Sequence, residues 1–550
     1  MVLQQISVPH VGTYNFGVGV DRLSGTAMNL VVNPTTATPT DASGSSQSFE
    51  VSRVTSTHDL LEKLGVDVKA SYGCAAFGAG ISARFSFAQS SEVHSASLFM
   101  AITATIHLAD LSIPECALTA PAAAMVDRPD VFVQRYGDMF ARSCRRGGLF
   151  VGLIRVETFD DTESTAIEAE LGGSYGFFSG EAATKFTKVT QDHKVNVYCK
   201  MHSEGGPALQ LTDPADPAGL LNVANTWMQA MHDDPSKYSQ PYEWTLAPIS
   251  ITEGPTPPNQ EQIANAQEIL KFCAEERTAL LDQYNLLNWW VKHPDRYDWT
   301  GATPPAEVAT AASGTQKDLD TVAACASQAI EHPASAKRPA SYAAEIGTVY
   351  PAGLMPATPP APRPGPATVY DQVSFAGHSQ TLAPGKYDNA SGNITIGNDA
   401  IRSVQLPAGM VMRLYEHFHF QGQFIDIRET TADLNQWAAK ASSLAIYRDG
   451  EEPPRTTEVI LIQLPNLDTW DGPFWVFSAA DGVQSAPTMA VRSAHIPEGM
   501  VLTLFAGPGF TGAAVDFTQD TAELGERAPG TYSFAVWDRV SGERPVLPPA

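Results

Sequence analysis

Two pairs of side chains in this sequence have the residue types of a metal site. His417 and His419 alternate within the stretch YEHFHF, and Cys199 and His202 lie three residues apart in YCKMHSE. Because each pair lacks a third ligand, ordinary strand residues are the better interpretation, and we predict no zinc site. The sequence contains no nucleophile elbow, HExxH motif, phosphate-binding loop or dinucleotide-binding fingerprint. We therefore expect no catalytic residue, no cofactor-binding residue and no enzyme.

Charge and hydropathy restrict the partners of this chain. Its 550 residues include 35 Lys and Arg against 60 Asp and Glu, a formal net charge of -25. Such a charge disfavours nucleic acid, and membrane binding would need a receptor, a cation bridge or apolar insertion. The start, MVLQQISVPHVG, lacks the pattern of a secretory signal, and no apolar run is long enough for a spanning helix. We expect a soluble protein with reduced, buried thiols that is released to act outside the producing cell.

The sequence divides at a proline-rich segment, residues 346–367, which we predict to be an extended linker. Before it, residues 259–290 have apolar residues at helical spacing, and a shorter helix is expected near 316–332. After it, the stretch that begins at Ile401 recurs at Val491, a spacing of 90 residues. We therefore predict one large unit, residues 1–345, followed by two β-domains at 368–450 and 455–550.

The repeats contain an aromatic residue, five residues later a Phe, and two residues after that a Gly. A plausible reason for this spacing is an aromatic ring packed over a tight hairpin whose glycine adopts a backbone geometry that other residues resist. The pattern resembles that of the βγ-crystallin superfamily, which implies all-β Greek-key sandwich domains, the second of them degenerate. It occurs at Tyr370, Phe375 and Gly377, at Tyr415, Phe420 and Gly422, and at Phe505, Phe510 and Gly512.

The βγ-crystallin resemblance also implies calcium, which that family often binds through an N/D-N/D-x-x-S/T-S sequence in each motif. One expected site combines Asn398, Asp399, the main chain of Ile401 and Ser442. The alternative is a turn that Asn and Asp stabilise without a metal. The reciprocal site lacks side-chain oxygens at Ala438 and Ala439 and has Arg402. Calcium is not expected in the second repeat, where the matching positions are Thr488, Met489, Arg492 and Tyr532.

A second pattern lies in the N-terminal unit, in the stretch YGDMFARSCRRGG. Tyr136, Gly137 and Phe140, followed after six residues by Gly147 and Gly148, resemble the signature of the membrane-attack-complex/perforin (MACPF) family. Asp138 and Met139 replace that family's hydroxyl and histidine positions. The resemblance implies an α+β fold with a MACPF/cholesterol-dependent-cytolysin-like bent antiparallel sheet and flanking helices. The glycines would lie at the bend, where a missing side chain permits curvature.

The MACPF resemblance implies two segments that extend into membrane hairpins, one on each side of the signature. We predict them at about residues 62–95 and 160–192. Each is long enough, because a spanning strand needs ~9 to 11 residues. In the second segment, Ile167, Ala169 and Leu171 alternate with polar residues, which suits a barrel wall between lipid and water. The alternative is that both segments are surface amphipathic helices or loops.

These patterns together predict a pore-forming toxin or defence effector, with insect or other animal cells as targets by family analogy only. A soluble monomer would bind a lipid, glycan or protein receptor on a target membrane, form a homo-oligomeric ring and insert two hairpins per subunit. The alternative is a non-lytic, calcium-dependent adhesion or assembly protein. Within TWDGPFWVF, Trp470, Phe474 and Trp475 would contact the membrane or receptor, with a core strand as the other interpretation.

Overall fold

Long antiparallel strands form the centre of the N-terminal unit, Met1–Arg363. The computed structural model describes residues 5–540 apart from 11, 35–37, 40–45, 68–76, 78–82, 158–166, 168–195, 364, 408, 466, 468–472, 482, 486–489 and 525–531. The strands of this unit are β1 (Ile6–Pro9), β2 (Val18–Val20), β3 (Ala27–Leu30), β4 (Thr38–Pro39), β5 (Ser46–Val54), β6 (Leu98–Ser112), β7 (Met139–Glu157), β8 (Asn196–Glu204), β9 (Gln240–Pro248), β10 (Tyr297–Asp298) and β11 (Ala361–Pro362).

Helices cover both faces of this sheet. They are α1 (Thr57–Lys63), α2 (Ala83–Ser90), α3 (Ala120–Ala123), α4 (Pro129–Tyr136), α5 (Pro217–Asp233), α6 (Pro235–Tyr238), α7 (Gln260–Lys292), α8 (Pro305–Glu331) and α9 (Pro339–Glu345). The predicted long helix is confirmed as α7, whereas α8 begins eleven residues earlier than its pattern indicated. None of the described helices has the length and apolar character needed to cross a bilayer.

The four central strands pair in the order β5, β6, β7, β8, each antiparallel to its neighbour. In β6, Met100, Ile102 and Ala104 pack on one face with α5, while Phe99 and Ala101 pack on the other with α1 and α2. An apolar run without polar alternation is what a strand needs when both of its faces are buried. The antiparallel sheet with flanking helices confirms the α+β class of this unit.

The structure corrects the predicted linker, residues 346–367. Residues up to Arg363 belong to the N-terminal unit, and the boundary falls at Pro364. Asp318 of α8 accepts hydrogen bonds of 2.7 Å from both the Ala352 and Gly353 amides, and β11 pairs with β10. A proline-rich composition favours an extended chain, but it does not prevent that chain from lying along neighbouring helices.

The C-terminal unit, from Pro364 onward, is all-β, as predicted. Two sheets surround one core in its first half, in the orders β13-β12-β15 and β14-β18-β16-β17, and the second half repeats this as β20-β19-β22 and β21-β25-β23-β24. The first-half strands are β12 (Ala367–Tyr370), β13 (Ser379–Leu382), β14 (Gly385–Asp388), β15 (Ser403–Gln405), β16 (Met410–Tyr415), β17 (Phe424–Ile427) and β18 (Ser443–Arg448). The second-half strands are β19 (Glu458–Ile462), β20 (Phe474–Ser478), β21 (Val483–Ser485), β22 (Ser493–His495), β23 (Met500–Phe505), β24 (Ala514–Phe517) and β25 (Ser533–Asp538).

The repeated aromatic motif has one geometry in all three copies. Each aromatic ring meets the following Phe ring edge to face, with centroids 5.6 to 5.9 Å apart, and each glycine has a φ of 81° or 82°. A later serine receives the amide hydrogen of that Phe and donates to a carbonyl in the same turn. This confirms the packing that the spacing predicts. The three serines are Ser403, Ser443 and Ser533.

Candidate functional site

The glycine pair lies inside strand β7, at the point where that strand changes partners. Residues 139–147 pair with β9, whereas residues 149–157 pair with β8. Gly147 has a φ of 140°, and a Cβ there would lie 1.9 Å from the Ile106 carbonyl oxygen of β6. A Cβ on Gly148 would lie 2.7 Å from the Glu204 carbonyl and from the Trp227 ring of α5. The pair is therefore required by close backbone and ring approach at this junction.

The other signature residues join helix α4 to strand β7. Tyr136 ends α4 with its ring buried against Phe132, at a centroid distance of 5.1 Å. Gly137 follows with a φ of 74°, and a Cβ there would lie 2.3 Å from the Val20 carbonyl of β2. Phe140 is fully buried in the same apolar cluster. All five predicted positions thus determine local packing, with no free side chain for chemistry.

Asp138, one of the two departures from the family pattern, is buried in an ion pair with Arg22. Burial raises the pKa of its carboxyl to about 6, although the neighbouring Arg22 guanidinium acts in the opposite direction. Met139 is also buried, in the core beside β2. At the two positions where this sequence departs from the MACPF signature, the chain therefore has one buried ion pair and one apolar side chain.

The two predicted hairpin segments each connect neighbouring strands at the same edge of the central sheet. The ladders there end at Val54 with Phe99, Leu98 with Val156, and Glu157 with Asn196. The first segment, 62–95, runs between β5 and β6, and the second, 160–192, runs between β7 and β8. Except for Ile167, which is buried in the sheet core, the second lies outside the described residues, as does the middle of the first apart from Phe77.

Helix α2, in the described part of the first segment, is held to the sheet by one buried arginine. Arg84 is 1% exposed and contacts Glu204 through two nitrogens, and it also donates to the Leu64 and Tyr242 carbonyls. Burial would raise the pKa of Glu204, but hydrogen bonds from Arg84 and His202 hold that pKa down at about 2. Sequence alone identifies Arg84 as the lone charge in its stretch, without revealing its partner.

The predicted calcium ligands converge between the first two motifs of the C-terminal unit. Ser442 Oγ lies 3.1 Å from Asp399 Oδ1 and 2.9 Å from the Glu416 carbonyl oxygen. Asn398 Nδ2 lies 2.9 Å from Asp399 Oδ2, and Asp399 is held at a φ of 52°. Asn398 and Asp399 are exposed while Ser442 is buried. Carboxylate, amide, hydroxyl and carbonyl oxygens are ligands that suit Ca²⁺.

Two main-chain carbonyls lie near these side chains, one at the predicted Ile401 and one at Glu416. The Ile401 carbonyl accepts a 2.9 Å hydrogen bond from the Ala439 amide, whereas the Glu416 carbonyl lies next to Ser442. Sequence reasoning missed Glu416 because any residue type can supply a carbonyl. A sequence signal for Glu416 does exist, because this residue directly follows Tyr415 of the aromatic motif.

The two motifs of the first β-domain are related by a local pseudo-twofold. The Asp399 amide donates to the Ala441 carbonyl, just as the Ala439 amide donates to the Ile401 carbonyl. Asp399 and Ala439 share left-handed backbone angles, with φ of 52° and 59°. The reciprocal half therefore has the backbone of a site, but with a methyl group where the first half has a carboxylate.

Comparisons with known proteins found one curated relative and several solved βγ-crystallin domains. Development-specific protein S of Myxococcus xanthus is 25% identical over 174 residues, which is 31% of this chain and 97% of that protein. The C-terminal unit is similar to βγ-crystallin domains. Solved βγ-crystallin domains from Clostridium beijerinckii and Flavobacterium johnsoniae are each 30% identical, with TM-scores of 0.15, covering 15% and 16% of this chain and 97% and 98% of those domains. No family model matches the chain.

The second βγ-crystallin-like domain differs at the positions that correspond to the calcium cluster. Tyr532, at the position of Ser442, is 2% exposed and packs in the domain core, and Arg492 is exposed. Thr488 and Met489 lie outside the described residues. A core tyrosine therefore lies at the position that corresponds to Ser442, and the degeneracy of this domain stays a prediction.

The predicted aromatic contact surface is less exposed than its sequence suggests. Phe474 and Trp475 lie on β20 and are half-buried, and Trp475 packs against the core of the second βγ-crystallin-like domain. The Phe474 ring meets the His419 ring at 5.7 Å, edge to face. Trp470 lies outside the described residues. A membrane or receptor contact through these residues stays a prediction.

His417 and His419 do not alternate on a strand, because β16 ends at Tyr415 and Phe418–Phe420 form a turn. His419 is buried there, with Nδ1 2.9 Å from Asp388 Oδ2 and 3.4 Å from Glu458 Oε2. Burial would lower the pKa of His419, but hydrogen bonds to the two carboxylates raise it to about 9. Neither carboxylate is near in sequence, so no sequence spacing predicted this cluster.

Proposed function

We propose that this chain is a pore-forming protein of the MACPF type. It binds a target membrane, oligomerises into a ring and inserts the segments near 62–95 and 160–192 as two β-hairpins per subunit. One observation carries this proposal: each segment connects two adjacent antiparallel strands, and both connections leave the sheet at the same edge. Hairpins formed from both segments would continue ladders that already exist.

The physics of such an insertion requires many subunits. Backbone groups in lipid must be hydrogen-bonded internally, and a closed barrel achieves this without an edge. Four strands from one subunit cannot close a large barrel, so a ring is needed. Burial of the apolar hairpin faces in lipid would drive insertion at about 25 cal/mol per Å², without a chemical step.

The C-terminal βγ-crystallin-like domains would supply targeting. A Ca²⁺ ion at Asn398, Asp399, Ser442 and the Glu416 carbonyl would reduce repulsion between a chain of net charge -25 and an acidic surface. The receptor class is open among lipid, glycan and protein. The expected state before binding is a monomer, and the expected place of action is the target-cell membrane.

The proposal is tested by dye release from cells and liposomes, with and without calcium. The decisive variant has the first segment covalently joined to the sheet. The cross-link joins Lys63 of α1, which is half-buried, to Glu50 of β5, which is exposed, and their side chains form an ion pair at 2.8 Å. Leakage by wild type that is lost on cross-linking and restored on cleavage supports insertion.

A non-lytic adhesion or assembly protein is the second candidate. The buried Arg84, with contacts to Glu204, Leu64 and Tyr242, favours it, because helix α2 would have to break all of these contacts to extend. Calcium-dependent ring formation on a membrane without leakage is the result that would support this function.

A further inference from the structure

A mixed cluster of one histidine and two carboxylates lies where the two βγ-crystallin-like domains meet. Asp388 ends β14 and His419 lies in the following motif, whereas Glu458 begins β19 of the second domain. Their ligand atoms all lie within 4.8 Å of one another. Asp388 and His419 are buried, and the Glu458 side chain is 38% exposed, which leaves one open side.

The turn does not need a histidine at this position. The same left-handed turn in the preceding motif has Ser374 at a φ of 57°, and in the second domain it has Gly509 at a φ of 64°, compared with 57° for His419. A serine and a glycine therefore satisfy the backbone in the other two copies. The imidazole of His419 is therefore not required by the backbone of this turn, which indicates a role beyond the turn.

Two residues of the cluster, Asp388 and His419, are positioned by other contacts. Asp388 Oδ1 accepts the Ala390 amide at 3.0 Å, and Oδ2 accepts the His419 amide at 2.9 Å. The Phe474 ring packs edge to face against the imidazole. Second contacts of this kind orient metal ligands and exclude water from them.

We propose that Asp388, His419 and Glu458 bind a divalent transition-metal ion, with Zn²⁺ as the reference case, and so join the two β-domains. One imidazole nitrogen with two carboxylates is a donor set for Zn²⁺ and its neighbours in the first transition row, whereas Ca²⁺ takes oxygen ligands. Three protein ligands leave a fourth position for water on the open Glu458 side.

The test uses the full chain, saturated with Ca²⁺ to occupy the Asp399 cluster, and titrates it with Zn²⁺ against a chromogenic chelator. His419→Ser is the first variant, because Ser374 shows that this turn accepts serine. Glu458→Gln removes one carboxylate at a half-exposed position, so it decides the question if His419→Ser does not fold. His417→Ser is the matched control, two residues away and outside the cluster.

Wild type and His417→Ser are expected to bind one more equivalent of Zn²⁺ than His419→Ser. Glu458→Gln should lower the affinity for this additional Zn²⁺ ion at least about tenfold. Bound Co²⁺ should give a visible absorption in wild type that disappears in His419→Ser. Equal Zn²⁺ binding by wild type and both cluster variants would overturn the proposal and leave the cluster as an interdomain ion pair.

Discussion

Arg84 of helix α2 and Glu204 at the end of strand β8 form a bidentate ion pair, with Nε 2.8 Å from Oε1 and Nη2 2.6 Å from Oε2. The two residues belong to opposite sides of the signature. Arg84 lies in the first predicted hairpin segment, and β8 directly follows the second. In the proposed mechanism, extension of the first segment therefore breaks a buried contact with the strand that the second segment would extend.

Glu204→Gln should weaken this attachment. Removing one partner of a buried pair leaves a charge without compensation, and we expect the free energy of unfolding to fall by about 3 kcal/mol. Chemical denaturation measures this change, and dye release should become faster on any membrane that wild type permeabilises. Glu50→Gln, which breaks the exposed pair with Lys63, is the control, with an expected loss under about 1 kcal/mol. Equal effects of the two variants would contradict the role of Arg84.

The same pair predicts a pH dependence of stability. The pKa of Glu204 is lowered from 4.5 to about 2 in the folded chain. The ionised Glu204 thus stabilises the folded chain above pH 4.5, and this stabilisation, about 3 kcal/mol in total, is lost as the pH falls toward about 2. Denaturant titration gives the free energy of unfolding of wild type and of Glu204→Gln at each pH. The difference between the two values should stay constant from pH 7 to 5. A decline already between pH 7 and 5 would show that another group controls the attachment.

Gly147→Ala should be strongly destabilising. The new Cβ would collide with the Ile106 carbonyl, and φ of 140° is unfavourable for any residue with a side chain. We expect a loss of at least about 3 kcal/mol in denaturant unfolding. Gly152→Ala in the same strand is the matched control, because its Cβ meets only side-chain atoms of Leu220 at 3.0 to 3.1 Å. Gly152→Ala should lower the free energy of unfolding by about 1 kcal/mol. A larger loss in Gly152→Ala than in Gly147→Ala would contradict the role of Gly147 at the point where β7 changes partners.

The calcium cluster predicts both a loss and a gain of binding. Asp399→Asn should weaken Ca²⁺ binding about tenfold or more, because the site loses its carboxylate charge. Calorimetric titration measures the affinity, with Asp371→Asn as the control, because the Asp371 carboxylate contacts His378 rather than Ser442. Conversely, Ala439→Asp with Arg402→Ser should raise the stoichiometry by one ion, since Ala439 has the backbone geometry of Asp399. Unchanged affinity in Asp399→Asn would assign the turn to a metal-free role.

Local patterns predicted the parts of this fold that local geometry determines. The aromatic motifs of Tyr370, Tyr415 and Phe505 specify ring packing and a glycine turn within a few residues, and the structure has all three. The convergence of Asp399 with Ser442 followed from motif positions. Contacts between distant segments could not be read in this way. Arg84 and Glu204 are 120 residues apart, and the Asp388, His419 and Glu458 cluster joins two domains.

Contacts made by main-chain groups also could not be predicted from residue types. The Glu416 carbonyl accepts a hydrogen bond from Ser442 whatever the Glu416 side chain is. Asp318 accepts hydrogen bonds from the Ala352 and Gly353 amides, in a segment whose prolines suggested a free spacer. Hydrogen bonds to backbone groups depend on where the chain passes. That path is determined by packing of the whole unit rather than by local composition.

Hairpin insertion is tested most directly by cross-linking Lys63→Cys to Glu50→Cys with a short bismaleimide that has a reducible spacer. In an extended strand these positions would be roughly 43 Å apart, at ~3.3 Å per residue, far beyond the reach of the linker. Arg428→Cys with Asp449→Cys, an exposed ion pair within the first βγ-crystallin-like domain, receives the same linker as the control. Wild type exposed to the reagent shows any effect of native thiols.

On a membrane that wild type permeabilises, the account predicts that the 50–63 cross-linked chain still binds but releases no dye, and that reduction restores release. The 428–449 cross-linked control should release dye throughout. Release by the 50–63 cross-linked chain at the rate of its reduced form would contradict hairpin insertion by the first segment.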